Sequence, residues 1–526
     1  MRARRWASAL LFGFASLLAA GCSLSNIRLD ECGADADCSA AFGLGSTCSD
    51  DGFCSEPATC VTGHDCRAAL GGGACVEGRC VAELPPDPAG LCTVYDPENL
   101  AGTSLIGEDA PVIVGSILRL STSSDDPFRG NGAQLALREI NDAGGLDGVR
   151  PLAMVICDNG AVDPGEAALR TESVADYLAG TLGVPFAVGP ITSSDSLTAI
   201  NHLVSVRGYP TTLISPSATS SGLTDAPDRL QPDDPFGLFW RTCPSDLLQA
   251  RILSDSVVGK IPTDDPLLQQ VAIVYIDDAY GIGLQSAFAE RWGVDKVSLH
   301  KFNEGQAFAG IADAVVSAAP DGILMVAIQA TDTLGFIEEM ATRPAIADLP
   351  IFLTDGSKDA TVLLGDGISS AAQAIILNQL VGTAPAGPNT AGSTLFNADF
   401  EAEFGESPLA FSFTANAYDA LYAGAAGVFY ASTQHPDYDG RHVAEGLSRL
   451  VGGSMMVPVG RLNWPAMRNE LASGERQLDL VGISGPLDFD VSTGEAPAAI
   501  EVWKPTNDSM ACGGDPPCLE QLVTLL

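Results

Sequence analysis

From residue 112 onward, short apolar runs alternate with apolar stripes at helical spacing. The run 112–118 reads as a strand, and Ala133, Ala136, Leu137 and Ile140 then fall at i, i+3, i+4 and i+7, one face of a helix. Asn141-Asp142-Ala143-Gly144-Gly145 stops that helix with turn residues. Further strands are predicted at 152–156, 185–188 and 211–214, with helices around 167–178 and 194–206 between them. The alternation restarts after Trp240, with strands at 271–276, 322–327, 350–353 and 374–377 and a helical stripe Phe308, Ile311, Ala312, Val315. Strand–helix–strand order predicts parallel sheets covered by helices on both faces, with right-handed crossovers. Two series of roughly 130 residues predict two doubly wound α/β lobes. An Ala-rich stretch, 415–430, is apolar nearly all round and is expected to be a buried helix. Ligands of such sheets sit beyond the carboxyl ends of the strands, which directs attention to the residues after each one.

The amino end follows a different pattern. Arg2, Arg4 and Arg5 precede an apolar run from Ala9 to Ala20, far short of a membrane-spanning helix. Leu18-Ala19-Ala20-Gly21-Cys22 resembles a bacterial lipobox, which implies cleavage before Cys22, its lipidation and a membrane anchor. Ser23 in the next position implies the outer membrane; an ordinary signal peptide cut near Ala20 is the alternative. Eight cysteines then form two similar units, Cys32-x5-Cys38-x9-Cys48-x5-Cys54 and Cys60-x5-Cys66-x8-Cys75-x4-Cys80. Structural zinc sites bring cysteines in closer pairs, so two disulfides per unit are expected, with three pairings open. Five cysteines remain besides Cys22, so one is left over; Cys512 and Cys518 are spaced to close a small loop. The domains expected are 1–21 signal, 22–83 Cys-rich stalk, 84–109 linker, 110–243 with 385–455 first lobe, 244–384 with 456–510 second lobe, and 511–526 tail.

The 526 residues carry 27 Lys and Arg against 66 Asp and Glu, a net charge of −39. Loss of the first 21 residues would make it −42 by removing three arginines. Such a surface repels phosphate backbones and excludes nucleic acid as a partner. No Gly-x-Ser-x-Gly elbow, His-Glu-x-x-His helix or P-loop is present, and the five histidines are scattered, so no enzyme and no cofactor is expected.

Five stretches occur together: 133–145, Val188-Gly189-Pro190-Ile191-Thr192-Ser193-Ser194, Ile214-Ser215-Pro216-Ser217-Ala218-Thr219, Asp277-Asp278-Ala279-Tyr280-Gly281 and Gly485-Pro486-Leu487-Asp488-Phe489-Asp490. In this order they resemble the type I periplasmic binding proteins, specifically the branched-chain amino acid receptors of ABC importers, over about residues 110–510. The resemblance implies two lobes joined by a three-segment hinge that close on a small amino-acid-like ligand, with an ABC permease as partner. It places Ser193 and Ser194 at the ligand carboxylate and Ser217 and Thr219 on the second binding stretch. It also places Tyr280 as an aromatic wall and Asp355 as the acid for the ammonium. Where the family has aromatics, this sequence offers only Phe128 in the first lobe and Ile328 or Gln329 in the second. Gln329 therefore points to a more polar ligand. The family disulfide, near Val162 and Thr192, is absent.

Each motif has a plainer reading. Ser193 and Ser194 could cap a helix, and Asp355 could be an ordinary loop acid. Tyr280-Gly281-x-Gly283 lacks a third glycine and reads as a turn opening a helix. Asp488-x-Asp490-x-Ser492-x-Gly494 reads as a hairpin turn rather than a calcium loop. His435 and His442 read as solvated surface. The function expected is a lipid-anchored solute receptor in the bacterial envelope, at the outer membrane or on the periplasmic face. The alternative is a surface sensing or interaction lipoprotein with the same clamp and no permease.

Overall fold

The computed structural model describes residues 31–260, 268–387, 389–513 and 516–526. The proposed signal segment and Cys22 lie outside the described residues. The described residues form two compact units, divided after Pro57.

The first unit, in its described part, is held by Cys32–Cys48 and Cys38–Cys54. Its helix Asp35–Phe42 is opened by Asp37, whose carboxylate accepts from the Gly33 and Ala34 amides. The second Cys repeat uses the same chemistry within the larger unit. Its helix Gly63–Leu70 is opened by Asp65, which accepts from Val61 and Thr62, and its disulfides are Cys60–Cys75 and Cys66–Cys80. The pairing is thus first to third and second to fourth in both repeats, and the repeated Asp is the helix-opening residue.

This second repeat is no free stalk. The Arg67 guanidinium donates to the carbonyls of Gly183 and Tyr438 and sits over the Tyr438 ring at 4.8 Å. A Cβ on Gly63 would lie 2.4 Å from the Leu182 carbonyl carbon, so only glycine permits this approach. The expected linker is likewise part of the first lobe. Val94–Asp96 pairs antiparallel with Leu152–Asp158, and Cys92 is bonded to Cys157. Leu84, Leu100 and Leu105 join a core containing Tyr177 and Leu178.

The first lobe's sheet runs Val94–Asp96, Leu152–Asp158, Val112–Leu118, Phe186–Val188, Thr212–Ser215, Phe239–Arg241, parallel after its first edge strand. The second lobe's sheet runs Val297–Phe302, Val271–Ile276, Gly322–Val326, Ile351–Leu353, Leu380–Ala386, then the antiparallel Ala499–Thr506 and Cys518–Leu525. The helix Thr414–Gln434 packs on Asp126–Asp142 in the first lobe, where the Tyr418 and Tyr422 hydroxyls both donate to Glu139, at 2.6 and 2.8 Å. The chain crosses between lobes three times, near 242–245, 387–390 and 497–499, as the bounding elements fall into separate cores.

Three sequence expectations change. Residues 374–377 lie inside the helix Ser370–Gln379, capped by Ser369, and the strand is Leu380–Ala386. Residues 456–496 belong to the first lobe, because Val457, Trp464, Met467, Leu480 and Phe489 fill its core. The tail is an edge strand of the second lobe, entered through Cys512–Cys518. Cys243 is the unpaired cysteine among the described residues, and it is buried. The 490–495 segment is a tight turn closed by Asp490 and Glu495. His435 and His442 are not simply solvated: their rings lie 4.0 Å apart, with Glu445 and Asp439 as respective partners. Among the described residues, no helix is long and apolar enough to cross a membrane.

Candidate functional site

The carboxyl ends of both sheets face one interlobe cleft. Polar contacts cross it, among them Arg119–Glu304 at 2.9 Å, Ser124 Oγ to Asp359 at 2.9 Å, Ser194 Oγ to Asp278 at 3.3 Å, and Ser220 Oγ to the Ala279 carbonyl at 2.9 Å. A cavity of about 40 Å³ lies deep in the cleft, walled by Arg129, Ser193, Ser217, Tyr280, Asp355 and Phe413 among others. The strand-end rule thus brings Ser193, Ser217, Tyr280 and Asp355 together from four different strands.

Thr192 caps the helix Ser193–Ile200, its hydroxyl accepting from the Asp195 amide, so neither Ser193 nor Ser194 is the cap. Ser193 Oγ accepts from the Ser220 amide, 3.1 Å away, which ties the two first-lobe binding stretches together. Ser217 Oγ donates to the Ile191 carbonyl. Ser194 faces away from this cavity: it accepts from the Ala279 amide and lines a neighbouring cavity of about 200 Å³ with Arg119, Asp195 and Glu304. Gln329 is buried at the start of the helix Ala330–Ala341 and lines neither cavity; Ile328 lines both.

The Tyr280 hydroxyl lies 2.9 Å from Asp355 Oδ1 and 2.7 Å from Thr354 Oγ1, all buried. Burial raises the Asp355 carboxyl above its ordinary range, against the opposing effects of Tyr280, Gln249 and Arg129. Beside it stands Asp246, which the sequence reading missed. Asp246 is fully buried at the start of the helix Asp246–Ile252, and neither carboxylate oxygen has a hydrogen-bond partner. Burial and the neighbouring Asp355 push its carboxyl well up, and Thr219 only partly offsets this. The Thr219 hydroxyl is also buried without a hydrogen-bond partner. Thr219, Asp246, Tyr280 and Asp355 therefore form an acceptor-rich corner short of positive charge.

Two more residues escaped the sequence reading. Arg129 is buried, paired to Asp125 at 2.9 Å and to Asp126, and lies over the Phe413 ring at 5.5 Å. Phe413 adopts φ +72°, a strained conformation for a side-chain-bearing residue, where the chain enters the buried helix.

The model of a periplasmic binding protein family matches residues 111–461. The chain belongs to the periplasmic binding protein family. Its solved neighbours share the type I fold: the branched-chain amino acid substrate-binding protein LivJ of Streptococcus pneumoniae, in complex with isoleucine, has a TM-score of 0.55 at 19% identity, over 78% of this chain and 99% of its own. A Rhodopseudomonas palustris solute-binding protein in complex with p-hydroxybenzoic acid has a TM-score of 0.58 at 14% identity, over 79% of this chain and 97% of its own. A chemotactic signal transduction substrate-binding protein of Halobacterium salinarum is 27% identical over 72% of this chain and 83% of its own length. A Leu/Ile/Val-binding protein of Rhizobium johnstonii is 27% identical over 57% of this chain and 73% of its own. In this periplasmic binding protein, Thr219 follows the first-lobe strand Thr212–Ser215, Asp355 follows the second-lobe strand Ile351–Leu353, and Asp246 follows the first crossing between the lobes.

Proposed function

We propose that this chain is an exported, Cys22-anchored solute-binding protein that clamps a small α-amino acid between its lobes. The observation that carries the reading is the unpartnered, buried Asp246 carboxylate beside Asp355 and Thr219. An ammonium has three donors and a positive charge, which is what this corner lacks. The ligand carboxylate would take Ser193 and the free amides at the start of the helix Ser193–Ile200. Tyr280 and Asp355 come from the second lobe and Ser193 and Thr219 from the first, so the ligand bridges the lobes and favours their closure. A thermal-shift titration tests this: an α-amino acid at about 100 times Kd should add about 2.7 kcal/mol of stability. No rise with any α-amino acid would defeat the reading.

Hand-off to an ABC permease is supported by the transport proteins among the relatives. The relative named for chemotactic signal transduction supports a second reading, a receptor that reports its ligand to a sensor instead. Membrane fractionation separates the two, since an outer-membrane position is remote from an inner-membrane permease. Acyl labelling that survives Cys22→Ser would defeat the lipid anchor.

A further inference from the structure

The corner that suits an ammonium says nothing about the rest of the ligand; the wall of the cavity that its members Tyr280 and Asp355 line does. That wall is Arg129 and Phe413, joined by Ile191, Ile328 and Gly356. From this wall we infer that Arg129 selects a ligand with a small, uncharged, hydrogen-bond-accepting side chain, of the serine, threonine or asparagine class. The inference rests on the amino-acid reading above.

Size comes first. The cavity bounded by Arg129, Tyr280, Asp355 and Phe413 is about 40 Å³, against about 200 and 310 Å³ for the two that flank it between the lobes. In that cavity an isobutyl or aromatic side chain would have to displace the Phe413 wall or part the lobes and break contacts such as Arg119–Glu304 and Ser124–Asp359. A larger cavity of about 310 Å³ lies on the side of Lys358 and Glu501, and Phe413 lines both. The Phe413 ring is thus the shared wall that keeps a longer side chain out, and its backbone is held at φ +72° where it does so.

Charge comes second. A buried arginine in a ligand cavity ordinarily suggests an acidic ligand. Here the guanidinium already pairs with Asp125 and Asp126, and Asp355 lies near enough to act on it as well. With those partners this guanidinium is already matched and does not call for an anionic side chain. A basic side chain would meet the guanidinium itself. Arg129 Nε is buried and without a hydrogen-bond partner, the one nitrogen of that guanidinium with no acceptor. A hydroxyl or amide oxygen supplies one without adding charge.

Calorimetric titration of the ligand-stripped chain with glycine, alanine, serine, threonine, asparagine, glutamate and leucine tests this. Serine, threonine or asparagine should bind at least tenfold tighter than alanine and than leucine. Arg129→Met should collapse the serine-to-alanine ratio towards one while alanine binding persists, and Phe413→Ala should admit leucine. Should Arg129→Met fail to fold, the ranking by the unaltered chain still decides. Leucine or glutamate as the tightest ligand would overturn the inference and leave the amino-acid reading standing. Binding of none of the seven would overturn both.

Discussion

Arg119 and Glu304 meet across the cleft at 2.9 Å, one from the end of a first-lobe strand and the other from the second lobe, and both are largely buried. The pair can exist only while the lobes are together. Arg119 also donates to the Ala161 carbonyl and keeps Asp195 at 4.0 Å, so it is held in place from its own lobe whether or not Glu304 is present. Glu304→Gln removes the charge and keeps the shape. It should raise the ligand Kd by about threefold to tenfold, mainly through faster dissociation, as expected for weakening one charge-assisted bond of a closed state. Stopped-flow dissociation rates check this; an unchanged off-rate would show that the pair does not hold the clamp shut.

Asp246 gives a prediction in pH. Its carboxyl is raised well above the ordinary value, so in the ligand-free fold it retains its proton to higher pH than in the unfolded chain. The folded state then binds more protons, and its contribution to stability falls as pH rises from about 4 through the raised value. Asp246→Asn should flatten that fall. Ammonium binding needs the carboxylate, so ligand affinity should increase with pH over the same window and binding should release protons. Calorimetry in buffers of different ionisation enthalpy measures the proton release.

Asp419 ties the buried helix Thr414–Gln434 to the first-lobe loop at 483–484. Its carboxylate accepts from the Ile483 amide at 2.9 Å, from the Ser484 amide at 2.7 Å and from the Ser484 hydroxyl, and burial raises its carboxyl to about 6. Asp419→Ala would strand two buried amides, and at about 1–3 kcal/mol for each unsatisfied group should cost about 2–6 kcal/mol. Denaturant unfolding measures it.

The Cys92–Cys157 disulfide closes a loop of 65 residues. On the chain-entropy account, its removal by a double alanine substitution should cost up to about 4 kcal/mol. Ligand ranking should not change, because the bond lies in the core under the second Cys repeat and away from the cleft. A chain begun at residue 93 should lose more, since it also drops the Arg67 and Leu84 contacts, while one begun at residue 58 keeps both.

The alternation of strand runs and helical stripes made both lobes legible, because each buried parallel strand is a near-continuous apolar run. Residues 456–496 were misassigned because Met456–Pro458 and Asp479–Val481 are too short to show a period. What decides their lobe is a tertiary contact, the Trp464 indole donating to the Gly145 carbonyl at 2.8 Å. That Ser193, Ser217, Tyr280 and Asp355 lie around one cavity was legible because strand ends converge. Asp246 carries no local signal in Cys243-Pro244-Ser245-Asp246, and only burial beside Asp355 marks it. Arg129 sits on a helix whose apolar stripe was plain, but nothing in the stripe shows that its polar side turns into the cleft.

The central claim is that the corner of Thr219, Asp246 and Asp355 receives an ammonium. The most direct measurement titrates the ligand-stripped chain with serine and with 3-hydroxypropanoate, which keeps the carboxylate and hydroxyl and lacks the amine. Serine should bind and 3-hydroxypropanoate should not, and Asp246→Asn should abolish serine binding without lowering the melting temperature. Equal binding of the two compounds, or binding of the desamino acid alone, would contradict the account.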